Sequence, residues 1–361
     1  MEPMSTERYP HPTHPEVGRA AAQPLYDPTL VGPAAPGPHR LTREQLFHDM
    51  KVRDLLLALG VSPGGRDVIY FQAHTTIETA MAKERIHSAP VWVEQPERGY
   101  TQIVKWHSCM VAQIAVSAIQ VDVQDLAAAL FSLHGDDVES VKNSFFQRQV
   151  LSVASLAQRD QMRPVTLDTR VGDVLLAMVN IAHRVVVVDD SRFDSSKLLH
   201  VISQFDMLRF LDKYAAQFPI DLNTIEAYQL MNTNVVSVPP TTRAIEALSK
   251  CLQHKFSGMA IIDPANNKFV GHISVSDLRG ITPTDFIDLW LPVTQYLERR
   301  GLASRPTIWC LPGSLLPEII RRMIDNHVHR VYIADRIGHA AGIITITDLL
   351  AYLLARLFPG E

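Results

Sequence analysis

Four aspartates, Asp125, Asp206, Asp277 and Asp348, recur at separations of 81, 71 and 71 residues. Each follows a short apolar run and stands at the head of a segment with helical spacing of apolar residues. Ser203, Ser274 and Thr345 lie three residues ahead of the last three, Thr347 adjoins Asp348, and Asp122 holds the hydroxyl's place before Asp125. A carboxylate at a strand-to-helix junction can accept both hydroxyls of a ribose in a charge-assisted geometry, with nearby hydroxyls reaching sugar or phosphate. It can instead cap its helix, a role worth about 1 kcal/mol. Four aspartates in register, three with a hydroxyl at the same offset, favour the ribose. Two further pairs, His183-Arg184 and His329-Arg330, each precede an apolar strand. Arginine offers a rigid fork matched to phosphate oxygens, and histidine adds a donor whose charge follows pH. As strand-edge residues the same pairs could also serve only to neutralise nearby acids.

These residues need elements to hold them, and the elements repeat. Ahead of each aspartate comes a helix whose apolar positions recur at 3.6-residue spacing, as in Val171, Val174, Leu175 and Met178, or Leu316, Ile319, Ile320 and Met323. A strand follows: 89–93, 185–188, 259–262 and 331–334. A turn comes next, most clearly in Asp263-Pro-Ala-Asn-Asn267, and a second strand leads to the aspartate and a closing helix. The expected order is helix, strand, turn, strand, helix, four times over. Two units bury their apolar faces better than one, so the repeats are expected in two pairs, 41–215 and 216–361, meeting at Phe218-Pro219. The repeats themselves are placed at 41–135, 155–215, 224–285 and 300–358. The first carries extra residues at about 94–117, with Trp106, Cys109 and Met110 apolar enough to pack.

Composition sets the outer bounds. The 361 residues are 47% apolar and 20% charged, the balance of a globular chain with a sizeable core. A formal charge of −4 gives no general attraction to nucleic acid or an anionic membrane, so any anion site must be built locally from a few cations. Residues 1–40 are crowded with proline and read as a disordered tail. The beginning of the chain lacks the pattern of a signal peptide, and the apolar run Leu349 to Phe358 is too short to span a bilayer. Cys109, Cys251 and Cys310 lie far apart without a zinc-type spacing, which suggests buried thiols in a cytoplasmic or nuclear protein. There is no GxSxG, no P-loop and no glycine-rich turn after a strand, and His327 with His329 lacks partners for a metal. No catalytic residue, catalytic cofactor or metal site is expected. The chain reads as a binding protein, not an enzyme.

The repeat resembles the CBS domain, whose tandem pair is called a Bateman module, over about residues 46–358. The two His-Arg pairs, in the second and fourth repeats, are similar to the phosphate-binding pairs of the gamma subunits of AMP-activated protein kinase. The resemblance implies an α/β (α+β) fold of four CBS repeats in two Bateman modules. It implies AMP, ADP or ATP as ligands, with Asp125, Asp206, Asp277 and Asp348 at the ribose positions. His183, Arg184, His329 and Arg330 would converge on a central cavity. His87 and Ser257 fall at basic-pair positions of the first and third repeats, with Lys255 nearby, and Thr233 falls where the family has a hydroxyl near the nucleotide. A second carboxylate beside a phosphate adds Coulomb repulsion, so Asp122 argues against the usual pose in the first repeat. Animal gamma subunits lack the second repeat's ribose carboxylate, whereas this chain has Asp206 there. The implied partners are adenine nucleotides, the catalytic and scaffold subunits of a protein kinase, and a second copy of the chain through its Bateman modules. Nucleic acid and membranes are not implied. The alternative is a four-CBS scaffold that regulates a phosphatase or other enzyme without nucleotide.

Overall fold

The computed structural model describes residues 41–62, 71–72, 74–82, 88–92, 119–133, 137–154, 156–157, 163–189 and 198–358. The proline-rich segment 1–40, His87, Cys109 and the extra residues 94–117 lie outside the described residues.

Each repeat builds one three-stranded sheet. The first contains β1 (Phe71–Gln72), β2 (Ser88–Trp92) and β3 (Ile119–Asp122), and the second β4 (Arg163–Val165), β5 (Arg184–Val188) and β6 (Leu198–Ser203). The third has β7 (Ser237–Val238), β8 (Gly258–Asp263) and β9 (Lys268–Ser274), and the fourth β10 (Trp309–Cys310), β11 (Arg330–Ala334) and β12 (Ala340–Thr345). In every sheet the middle strand runs parallel to the first and antiparallel to the third. The mixed α/β architecture and its fourfold repetition are those expected. The short parallel strand that opens each repeat was not, because two or three residues carry no readable alternation.

The helix preceding each middle strand packs as its spacing demands. Val171, Val174, Leu175 and Met178 are buried, as are Leu316, Ile319, Ile320 and Met323. The third repeat departs from the expected closing helix and has only the 3-10 turn Val275–Leu278. Gly280, at φ +67°, takes the left-handed conformation that ends a helix, and Pro283 follows. The freed carbonyls find side-chain donors instead: Tyr296 Oη donates to Asp277 O at 2.9 Å, and Arg300 Nη2 to Arg279 O at 2.8 Å.

The segments that lead into the repeats cross between neighbours. Residues 41–59, which the repeat boundaries read from sequence put in the first repeat, pack on the second. Val52 N donates to Thr169 O, Arg53 N to Leu167 O, and Leu46, Phe47, Val52, Leu55 and Leu56 join its core. In return, the leader of the second repeat returns to the first, with Val150 N on Thr75 O and Ile77 N on Arg148 O. The later pair repeats the exchange. Ala227 N donates to Ser314 O and Leu316 N to Ile225 O, while Val293 N donates to Thr242 O and Ala244 N to Leu291 O. A backbone group can be satisfied from either repeat, and sequence order does not say which.

Helix faces then join the pairs to each other. One buried cluster combines the second and fourth repeats, through Met207, Leu211, Ile320 and Leu353 among others, and a second combines the first and third, through Ala127, Leu130, Leu248 and Phe286. The join at 218–219 is part of this core: Phe218 is buried, edge-on to Phe47 at 5.8 Å. Cys251 and Cys310 are buried and not in disulfides, and burial pushes the Cys310 thiol up to about 11. Among the described residues no helix is long and apolar enough to cross a membrane.

Among the described residues, two helices end on a left-handed residue that is not glycine, Lys255 (φ 57°) and His327 (φ 51°). Both turns are closed by paired bonds of the Schellman type, Phe256 N to Cys251 O with Lys255 N to Leu252 O, and Val328 N to Met323 O with His327 N to Ile324 O. Lys255→Gly removes the Cβ penalty of this conformation and is expected to raise unfolding free energy by about 0.5–1 kcal/mol in denaturant titration. An unchanged or lower value would show that the lysine side chain stabilises the turn.

Candidate functional site

One register recurs in all four sheets. The residue that opens the middle strand faces the residue that caps the following helical segment: Ser88 faces Asp122, Arg184 faces Ser203, Gly258 faces Ser274, and Arg330 faces Thr345. The strand ends carrying the two arginines therefore lie beside the aspartate-bearing turns. The four repeats meet at a cavity of about 310 Å³, lined from the first repeat by Asp122 and Gln124, from the second by His183, Arg184 and Ser203 to Phe205, from the third by Asn232, Asn234 and Lys255 to Gly258, and from the fourth by His329, Arg330 and Thr345 to Asp348. Ligand pockets commonly span about 300–1,000 Å³.

Of the residues singled out from sequence, the cavity brings together His183, Arg184, Ser203, Ser257, His329, Arg330, Thr345, Thr347 and Asp348. Asp125, Asp206, Ser274 and Asp277 are not on its wall. Thr233 is not either, although Asn232 and Asn234 on both sides of it are, so the lining amides sit one residue from the expected hydroxyl. Gln204, Phe205 and the two asparagines were missed, because a single amide or aromatic ring in a repeat has no periodic signal.

All four aspartates act as caps. Each accepts the backbone N–H three residues earlier, from Asp122, Ser203, Ser274 and Thr345 respectively, at 2.9–3.0 Å. The capping box thus takes one oxygen, Oδ2, in every repeat. The other oxygen differs. Asp348 Oδ1 has no hydrogen-bond partner among the described residues, while its Oδ2 also accepts from Thr345 Oγ1 at 2.7 Å. Asp206 repeats that arrangement with Ser203 Oγ, and its Oδ1 has Arg209 only at 4.0 Å. Asp125 is buried and its Oδ1 accepts from Ala157 N at 2.9 Å. Asp277 is buried against Arg305, with Nη1 at 2.7 Å from Oδ1 and Nη2 at 3.1 Å from Oδ2. The four carboxylates are thus not equivalent: two of them, Asp125 and Asp277, already have both oxygens engaged.

The cations are not equivalent either. Arg330 reaches across to the third repeat, donating from Nη2 to Ser257 Oγ at 2.5 Å. Glycine at 258 makes that possible, since a Cβ there would stand 2.5 Å from Arg330 Nη1 and 2.7 Å from Ile273 O. Thr347 Oγ1 donates to Gln204 Oε1 at 3.1 Å, tying the fourth repeat to the second, and Gln204 Nε2 holds Met178 O at 2.9 Å. Phe205 stacks on His327 and meets His329 edge-on, with centroids 5.8 and 6.0 Å away.

His329 opens onto the cavity, yet it is surrounded by protein and by cations. Desolvation, and then Arg184, Arg330, Arg279 and His183, push it down to about 4. His272, between the third and fourth sheets, is also pushed to about 4, by desolvation and by Arg305, with Asp277 opposing. Both rings are neutral near pH 7, and only an anion in the cavity would favour the charged form of His329. An unfolded chain, with imidazoles near 6.5, binds more protons than the folded one between pH 6.5 and 4. Stability contributed by these residues is therefore present above pH 6.5 and lost as the pH falls. Denaturant titrations from pH 7 to 4 are expected to show a shallower decline for a His272→Gln/His329→Gln variant; an equal slope in both chains would refute this assignment.

Comparison with known proteins bears on this geometry. Residues 227–282 and 300–355 match the CBS domain. The 5'-AMP-activated protein kinase subunit gamma of Dictyostelium discoideum is 32% identical over 181 residues, covering 48% of this chain and 31% of that protein. The subunit of the same name from Saccharomyces cerevisiae is 26% identical over 179 residues, covering 47% and 54%. Protein sds23 of Aspergillus niger is 27% identical over 166 residues, covering 42% and 32%. The chain thus spans about a third to a half of the length of these relatives. Among solved structures, protein MJ1225 from Methanocaldococcus jannaschii shares the fold, with a TM-score of 0.60 at 15% identity over 84% of this chain and 100% of that one.

Proposed function

Starting from a chain that carries CBS domains at 227–282 and 300–355 and resembles kinase gamma subunits, we propose that it is a non-catalytic regulatory subunit that senses adenine nucleotides and modulates a partner protein kinase. The observation that carries this reading is the shared cavity, onto which His183, Arg184, His329, Arg330 and Asp348 all open. Phosphate oxygens are matched by the guanidinium forks of Arg184 and Arg330, with His329 available to protonate once an anion is beside it. The unpaired oxygen of Asp348 suits a ribose hydroxyl, and Thr345 and Thr347 border it. AMP, ADP and ATP place different charge among these cations, so they bind with different strengths. A nucleotide shifts a partner only through its differential affinity for two states of the chain. The catalytic and scaffold subunits of a kinase are the partners this reading names.

A second reading, a scaffold that regulates a phosphatase or other enzyme without nucleotide, is favoured by the closed carboxylates of Asp125 and Asp277. The relatives named Protein sds23 leave it in play.

Thermal unfolding with AMP, ADP, ATP and S-adenosylmethionine separates the two. An adenine nucleotide at about 100 times its Kd is expected to add roughly 2.7 kcal/mol of stability. No shift with any of the four would overturn the sensing role and leave the scaffold. Arg330→Ala is expected to weaken AMP binding about tenfold or more, the equivalent of one lost charge-assisted pair, with the melting temperature of the free chain little changed. Unchanged affinity would remove Arg330 from the phosphate site.

A further inference from the structure

The ribose position of the third repeat is filled by the chain itself. Arg305 lies in the stretch between helix Val293–Arg299 and β10, within the leader that the fourth repeat lends to the third. Its course is set by Gly301, left-handed at φ +66°, and by the turn in which Arg305 N donates to Leu302 O at 3.1 Å. From there its guanidinium takes both oxygens of Asp277, at 2.7 and 3.1 Å, and Nη2 also donates to His272 O at 3.2 Å. The Asp277 side chain is 2% exposed. Oδ2 accepts from Ser274 N in addition, so Asp277 has both oxygens engaged and little water around it.

Among the described residues, the carboxylates of the second and fourth repeats have no such partner. Asp348 has a free Oδ1 among the described residues, and the Oδ1 of Asp206 meets only Arg209, at 4.0 Å. Both a ribose diol and a bidentate guanidinium make charge-assisted bonds to a carboxylate, but the hydroxyls are neutral, whereas the guanidinium adds the attraction of opposite charges in a place with little water. To enter, the sugar would have to expel Arg305 and leave its cation without a partner in a partly buried position.

We infer that Arg305 closes the third repeat to nucleotide by occupying Asp277, so that a residue of the fourth repeat's leader sets how many nucleotides the chain holds. This rests on the nucleotide-binding reading above. In that light the chain is a CBS protein in which a ribose carboxylate is retained but converted to a structural ion pair. Its neighbour Tyr296, whose hydroxyl holds the Asp277 carbonyl, belongs to the same lock.

Isothermal titration of the full chain with AMP and with ATP tests this. The wild-type and Asp277→Asn chains are expected to bind the same number of nucleotides with Kd values within about twofold. Arg305→Met is expected to gain one site per chain, and Arg305→Met/Asp277→Asn to lose that gain. A stoichiometry one lower in Asp277→Asn than in wild type would overturn the inference, as would no gain in a folded Arg305→Met chain. Should Arg305→Met unfold on loss of the buried partner, Arg305→Lys keeps a cation but cannot span both oxygens. A weaker extra site that depends on Asp277 is then expected, and its absence counts against the closure. If wild type binds no nucleotide, the sensing role falls. A site appearing only in the Arg305 variants would still support closure, and binding by neither chain would overturn both.

Discussion

The exchange of leader segments between neighbouring repeats is the constraint on which the rest of the molecule rests. Backbone groups of Val52, Ile77, Ala227 and Val293 find their partners not in the nearest stretch of their own repeat but across the pair, at Thr169, Arg148, Ser314 and Thr242. A buried N–H without a partner costs about 1–3 kcal/mol, so neither member of a pair can be withdrawn without leaving several such groups exposed or unmet. The two repeats of each pair are therefore tied together by backbone bonds that neither can satisfy alone. The helix faces that remain apolar after pairing are then covered by the opposite pair, which gives one cluster of the second and fourth repeats and another of the first and third.

That arrangement brings four equivalent backbone positions around one cavity and leaves the side chains to differentiate them. The same sheet register puts Arg184 beside Ser203, Arg330 beside Thr345, Gly258 beside Ser274 and Ser88 beside Asp122. Arginine at two of the four positions gives the cavity its cationic character in a chain whose net charge is −4. The missing side chain at Gly258 is part of the same design, since the Arg330 guanidinium lies where its Cβ would be. Desolvation and neighbouring cations together hold His329 neutral near pH 7, so it adds no charge there to that of Arg184 and Arg330. A concave site with fixed cations and a neutral imidazole can take up a proton along with an anion.

The carboxylates show how one local motif can be put to different uses. All four aspartates accept a backbone N–H in a capping box, and that function is complete without any ligand. What separates them is the second oxygen, and its fate is decided by residues remote in sequence: Ala157 for Asp125, Arg305 for Asp277, and none among the described residues for Asp348. At Asp348 the cap takes Oδ2 and leaves Oδ1 open, so a ribose hydroxyl there would not compete with the capping role.

Much of the fold was legible along the chain. The interval of 71 residues, the helical spacing of Val171 to Met178 and Leu316 to Met323, and the turn at Asp263 each express a local periodicity or a local φ requirement. So does the placement of His-Arg at the start of a strand in the second and fourth repeats. Local sequence therefore determined the repeat, most of its helices and longer strands, and the candidate residues. Only the tertiary structure decided which repeat each leader covers, that Asn232 and Asn234 line the cavity where Thr233 does not, that the third repeat ends in a 3-10 turn, and that Arg305 occupies Asp277. These depend on contacts between segments tens of residues apart. In a chain of four similar repeats the same local pattern is compatible with several such pairings, and packing and charge select among them.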